Sequence, residues 1–349
     1  MEPEEIQLTQ SSEVLHHVSV TEDYSSGHHA MYAFINAIFI TNCILGMLGN
    51  GLVIWATGFK LKRTANTVWL LSLAVADFTV SLLLPLFITE FSLDFNWPFG
   101  RLLCKLNSGA LALCLNASIF ILVAISVDRC ISVALPIWSR NHRSPRLATQ
   151  LSLGVWVVAA MFSMLTFVFC DTVSSGNRTM CNHNYLLQSE RAALNMTVYG
   201  DKEHREVLKQ AENLRYARYR AVTLSRFLGA FLLPFLVIAA SYAIIGLRLR
   251  WDRLAPSRGK LFRVIASVVL AFLLCWAPYH FFSILRLLQL REEPWPLVLS
   301  VGVPLSYSLA CMNSCINPVL YIFMWQDFRD LLNKSLQRHN SQGTQILRN

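Results

Sequence analysis

Residues 106–127 run the length of a membrane span without one Asp, Glu, Lys or Arg. A helix of about 20 apolar residues crosses the ~30 Å hydrocarbon core of a bilayer, so such a run has few other fates. It is not alone. Comparable segments recur at about 31–59, 66–92, 102–134, 148–169, 222–249, 261–287 and 297–324. Only a helix satisfies its own backbone groups in lipid, so these seven segments predict an all-α, seven-transmembrane helix bundle. Composition points the same way: 15% of residues are charged, against about 25% in soluble domains. Each span also holds a Pro, Gly, Asn or Ser, which suits helices packed on one another.

The charge of +9 does not imply nucleic acid, because the spans separate the basic clusters. Lys60, Lys62 and Arg63, then Arg140, Arg143 and Arg146, then Arg248, Arg250, Arg253, Arg258, Lys260 and Arg263 fall on one side, as does the tail with Arg329, Lys334 and Arg338. Basic short loops face the cytosol, so residues 1–30, acidic and without a cleavable leader pattern, are expected outside as an N-terminal tail. Residues 31–324 form the membrane domain, with a long second outer loop at 170–221, and 325–349 the cytoplasmic end. Within that loop Asn177 and Asn195 head glycosylation acceptors. Residues 201–221 read equally as a helical extension of the fifth span or as a solvated loop. Trp325 to Leu332 alternates apolar and charged residues at helical spacing, which predicts a short amphipathic helix 8 on the inner lipid surface.

Polar groups inside the spans carry the functional reading. Asp77 sits mid-span and needs partners. Asp128-Arg129 closes the third span, where an interfacial anchor and a functional pair are equally good readings. Arg226 lies about two turns above Pro234, either as a ligand cation, an internal ion pair or an interfacial residue. No inverted repeat, metal-binding His cluster or Ser/His pair supports a transporter or an enzyme.

Taken in order, Gly49-Asn50, Leu73-Ala74-Val75-Ala76-Asp77, Asp128-Arg129-Cys130, Trp156, Pro234 with Tyr242, Cys275-Trp276-Ala277-Pro278 and Asn317-Pro318-Val319-Leu320-Tyr321 each fall in their own span. The chain thereby resembles the class A, rhodopsin-like G-protein-coupled receptors over nearly its whole length. The resemblance implies a sodium pocket at Asp77, Ser118, Asn313, Ser314 and Asn317, with a protonated Asp77 in a polar network as the alternative. No other cofactor is implied. It implies kinks at Pro278 and Pro318, and Trp276 as the lever beneath the ligand. It also implies that Asp128 holds Arg129 at rest, and that Tyr242 and Tyr321 support Arg129 once it is released. Cys104 and Cys181 match the family's disulfide, leaving Cys170 near the outer face without an evident partner.

Asn96-Trp97-Pro98-Phe99-Gly100, Pro136-Ile137-Trp138-Ser139-Arg140-Asn141-His142-Arg143, Ser225-Arg226-Phe227-Leu228 and Trp276-Ala277-Pro278-Tyr279-His280 narrow the resemblance to the chemoattractant cluster of formyl-peptide, chemerin and type 2 prostaglandin D2 receptors. What this implies is an acidic lipid or peptide ligand bound by Arg226, with Arg286, Glu90, Trp276 and His280 beside it. The implied partner is a heterotrimeric G protein of the inhibitory class, and arrestin is a second. Two departures weaken transfer of any one ligand. Cys170 stands where relatives carry an arginine, and Leu111, Ala112 and Leu113 replace an acid.

Overall fold

Because hydrocarbon offers no hydrogen bonds, each apolar segment closes its backbone bonds within itself. A computed structural model of the chain describes residues 22–176, 178–196, 201–251, 258–289 and 296–324. Its helices are α1 (Glu22–Trp55), α2 (Ala65–Ser92), α3 (Gly100–Ala134), α4 (Pro136–His142), α5 (Pro145–Phe169), α6 (Gln188–Met196), α7 (Asp201–Phe227), α8 (Leu233–Trp251), α9 (Arg258–Gln289) and α10 (Pro296–Met324). Seven stretches among the described residues are long and apolar enough to span a bilayer: Met31–Lys60, Ala65–Ser92, Gly100–Ala134, Pro145–Phe169, Arg205–Arg248, Ser267–Leu288 and Val298–Val319.

Local chemistry sets the starts. Thr64 and Thr67 exchange hydrogen bonds in a capping box that opens α2. The Ser144 hydroxyl accepts from the Leu147 N–H at the start of α5, with Pro145 in its first turn. The core gathers on α3, which packs on α2, α5 and α8. Fully buried Ala74, Ala117 and Ala159 let those helices approach closely. Outward, Leu151, Leu153, Val157, Met161 and Met164 of α5 are exposed, a belt suited to lipid.

The fifth span is not a uniform helix. A π-helical turn, Leu228–Leu232, separates α7 from α8 just before Pro234. Proline clashes with the carbonyl four residues back, and a π turn relieves it. The extra residue rotates everything on its α7 side by ~100°, so it decides which way Arg226 faces. Above it, residues 201–227 are one helix, which selects the helical reading of that segment.

An all-α reading omits one element. After α5 the chain turns into an antiparallel hairpin, β1 (Cys170–Ser175) with β2 (Arg178–His183), in which Thr172 faces Cys181. The expected disulfide joins Cys104 on α3 to Cys181 on β2. Asp171 is 5% exposed and binds Arg101 Nε at 2.7 Å and Arg191 Nη2 at 2.5 Å, tying β1 to α3 and α6. Arg218 of α7 pairs with Glu190 of α6 at 2.6 Å. Cys170, expected near the outer face without an evident partner, lies in the core there. It is 1% exposed and lies against the disulfide, because β1 begins at that residue beside the top of α3. Asn177, the side chains of Asn195 and Tyr321, the amphipathic helix at 325–332 and most of the tail at 1–30 lie outside the described residues.

Burial would raise the Asp171 carboxyl, but hydrogen bonds from Arg101 and Arg191 outweigh it and hold it below the usual carboxylate range. A depressed carboxylate adds stability above its unfolded value near ~3.9, and that stability is lost as pH falls through the folded value. Asp171→Asn should cost about 1–3 kcal/mol, discounted because Arg101 is half exposed. Thermal melts of purified receptor should show this gap at neutral pH and its disappearance in acid. A constant gap across pH would contradict the account.

Candidate functional site

Between the spans, at the hairpin end, lies a cavity of about 1040 Å³ including its mouth. Leu111 and Leu115 of α3 and Trp276 of α9 border it, and Cys181 and His183 of β2 cover it. Glu90 of α2, Arg226 of α7, and Tyr279 and His280 of α9 belong to the polar part of its wall. The structure thus brings together four of the five expected ligand residues. Arg286 is the exception: it is exposed on α9 and does not line the cavity.

The charges decide what the cavity can hold. Arg101 and Arg191 are engaged by Asp171, and Arg218 by Glu190. Lys105 donates to the Cys170 and Val168 carbonyls at 2.7 and 3.3 Å, capping the end of α5. Arg226 differs. Its Nη2 donates to Thr166 Oγ1 at 2.5 Å, and no carboxylate lies within ion-pair distance among the described residues. A half-buried guanidinium with nitrogens to spare is a fork suited to a carboxylate. Glu90, 7% exposed, accepts from the Cys181 N–H at 3.3 Å and so supports the hairpin.

Two histidines face this cation. His183 was missed by sequence reasoning, because nothing in a loop sequence shows that a hairpin will lay it over a pocket. Burial, then Arg226 and Arg286, push it down to about 3, so the ring is neutral at physiological pH. His280 is 3% exposed and stacks on Phe231 at 4.8 Å between ring centroids. Its Nε2, the Trp276 Nε1 and both amide atoms of Asn107 are buried without a protein partner. Asn107 lines the cavity and was not singled out from sequence.

Below Trp276 lies a second polar group. Asp77 is fully buried and its Oδ2 accepts from Asn317 Nδ2 at 2.7 Å. Asp77 Oδ1, Ser118 Oγ, Ser314 Oγ and Asn50 Oδ1 have no protein partner. One carboxylate oxygen with neutral oxygens around it is a donor set that a hard cation accepts. Asn50 instead uses its Nδ2 to bind the carbonyls of Gly46 and Ser314 at 3.0 and 2.9 Å. Asn313 is buried with an unpaired Nδ2, a group that cannot ligate a cation.

At the opposite end the expected latch is built differently. Asp128 does not hold Arg129. Its carboxylate takes Arg143, Nε to Oδ1 at 2.9 Å and Nη2 to Oδ2 at 2.6 Å, and Arg143 also reaches Asn66. The reason is helical geometry. Adjacent residues point ~100° apart, and α4 folds back so that Arg143 at its end meets the Asp128 carboxylate. Arg129 lies instead within electrostatic reach of Arg143, Asp128 and Tyr242. Tyr242, 7% exposed, sits beside Ser126.

The family model for 7 transmembrane receptors (rhodopsin family) matches residues 49–200 and 207–321. Chemerin-like receptor 1 of Rattus norvegicus is 43% identical over 298 residues, covering 85% of this chain and 76% of that receptor. The Homo sapiens receptor of that name is 42% identical over 297 residues, 85% and 76%. The C3a anaphylatoxin chemotactic receptor of Oncorhynchus mykiss is 34% identical over 314 residues, 89% and 79%. A match along both halves, with receptors alike over most of their length, means that this chain belongs to the rhodopsin family of seven-transmembrane receptors, multi-pass proteins of the plasma membrane that transmit ligand binding to a heterotrimeric G protein.

Proposed function

We propose that this receptor detects a chemoattractant or inflammatory mediator, an acidic lipid or peptide whose anionic group docks on Arg226. The observation that carries this reading is the uncommitted guanidinium: of the cations at the hairpin end discussed above, Arg226 combines a place in the cavity wall with no carboxylate partner. The chemerin and C3a receptors among the relatives support it. The Asp128 end then faces the cytosol and the N-terminus the outside, a reading that the basic short loops support. The G protein is of the inhibitory class.

Transmission follows from the stack beneath the cation. A ligand on Arg226 bears on His280 and Trp276, which lie two residues to either side of the Pro278 break in α9. Proline frees a carbonyl and lets the halves of α9 pivot. Outward movement of its far end uncovers Arg129 for the G protein. Asp128 stays on Arg143, so no ion pair must break first. Asp77, Ser118, Ser314 and Asn317 would hold a sodium ion, and a cation bound there would favour the resting arrangement of the bundle.

Three outcomes are expected. In a cyclic-AMP inhibition assay against acidic lipids and chemotactic peptides, chemerin and C3a among them, Arg226→Ala should weaken the response by roughly 10- to 150-fold at unchanged surface level. Arg226→Lys should restore only part of it. Unchanged potency would sink the anchor. Arg129→Ala should abolish signalling while the active ligand still binds; retained signalling would place the coupling cation elsewhere. Agonist affinity should fall when sodium replaces choline in the buffer, and Asp77→Asn should remove that dependence. An unsubstituted receptor indifferent to the exchange would leave Asp77 as a protonated member of a polar network.

A further inference from the structure

The disulfide tying β2 to α3 has a third sulfur beside it. The Cys170 thiol lies 3.7 Å from Cys104 Sγ and 3.7 Å from Cys181 Sγ. All three sulfurs fall within 4.8 Å of one another. Ser108 Oγ stands 3.1 Å from Cys170 Sγ and 3.7 Å from Cys181 Sγ, a polar partner for either sulfur when it is the free thiol.

We propose that Cys104, Cys170 and Cys181 form a thiol–disulfide exchange centre in which Cys104 carries its bond to either of two segments, β2 through Cys181 or the end of α5 through Cys170. Exchange proceeds from the Cys170 thiolate, a minor form because burial pushes the thiol up, and the proton it gives up is balanced by the one Cys181 takes up. The Cys170 sulfur bonds Cys104 Sγ, the Cys104–Cys181 bond breaks, and Cys181 leaves with the electron pair and takes up a proton. One thiol and one disulfide exist before and after, so no external oxidant is consumed. Equal distances to both sulfurs set Cys170 alongside the bond rather than behind it. Attack therefore follows a rotation of the Cys170 side chain, and exchange is a slow event.

The backbone is ready for the second pairing. The Cys170 N–H bonds the Thr166 carbonyl and its own carbonyl accepts from Lys105 Nζ at 2.7 Å, so Cys170 is already fastened to α3. A Cys104–Cys170 bond would join two elements in contact. Its consequence lies on the other strand. Cys181, Asn182 and His183 border the ligand cavity. Without the covalent tie they are held by the ladder to β1 and by the 3.3 Å hydrogen bond from the Cys181 N–H to Glu90. Moving the bond thus loosens the roof of the cavity while the spans keep their places.

The test maps the linkages. Full-length receptor on cells is alkylated without reduction, digested, and its cross-linked peptides are read by mass spectrometry. In Cys181→Ser, a Cys104–Cys170 peptide should replace the lost bond, and Cys170→Ser should show only Cys104–Cys181. Finding Cys104 and Cys170 both alkylated in Cys181→Ser overturns the proposal. If that variant fails to reach the surface, unsubstituted receptor is equilibrated in a reduced and oxidised glutathione mixture. A Cys104–Cys170 peptide with Cys181 alkylated is then expected, and Cys104 recovered only with Cys181 overturns it.

Discussion

A polar group inside hydrocarbon must be answered by protein, and the fold follows from how each is answered. Where an answer comes from a neighbouring helix, two spans are locked together: Asn42 to the Ser308 carbonyl at 3.0 Å, Trp156 to Ser72 at 3.0 Å, Asn116 to Ser163 at 2.9 Å. Where no answer comes, several of the unpaired atoms gather: those of Asp77, Ser118 and Ser314 form one polar cluster, and those of Asn107, Trp276 and His280 belong to residues lining the cavity. The proposed ligand and sodium sites fall where the structural constraint is left unmet.

Charge is distributed by the same logic. At the hairpin end each acid discussed has a fixed task. Asp171 binds two arginines, Glu190 binds Arg218, and Glu90 supports β2. The cations exceed these acids, and the surplus falls on Arg226. A neutral His183 above it adds no repulsion to an incoming anion. At the opposite end the acid again has a partner other than its sequence neighbour.

Much of this was legible in the residues. Hydropathy placed six of the spans within about six positions of those observed, since lipid leaves the backbone one choice, while the fifth begins at Arg205 rather than near 222 because a polar helix continues it outward. Asp77 with Asn317, the Cys104–Cys181 bond, and the meeting of Glu90, Arg226, Trp276 and His280 followed from the family resemblance that the motifs carry. What escaped was set by three-dimensional phase and register. The π turn at Leu228–Leu232 breaks a period that sequence reading treats as constant. The hairpin register decides that Cys170 meets two sulfurs and that His183 covers the cavity. The partner of Asp128 comes from fifteen residues away because α4 folds back, which no local pattern encodes.

The helix from Asp201 through the π turn to Trp251 extends, at ~1.5 Å per residue, about 75 Å. That is more than twice the thickness of the hydrocarbon it crosses. Anything grasping its projecting end holds a lever whose fulcrum lies among the other spans. A tilt of a few degrees there displaces the far end by several ångströms, so a binder that never enters the cavity has mechanical purchase on the end where Arg129 waits.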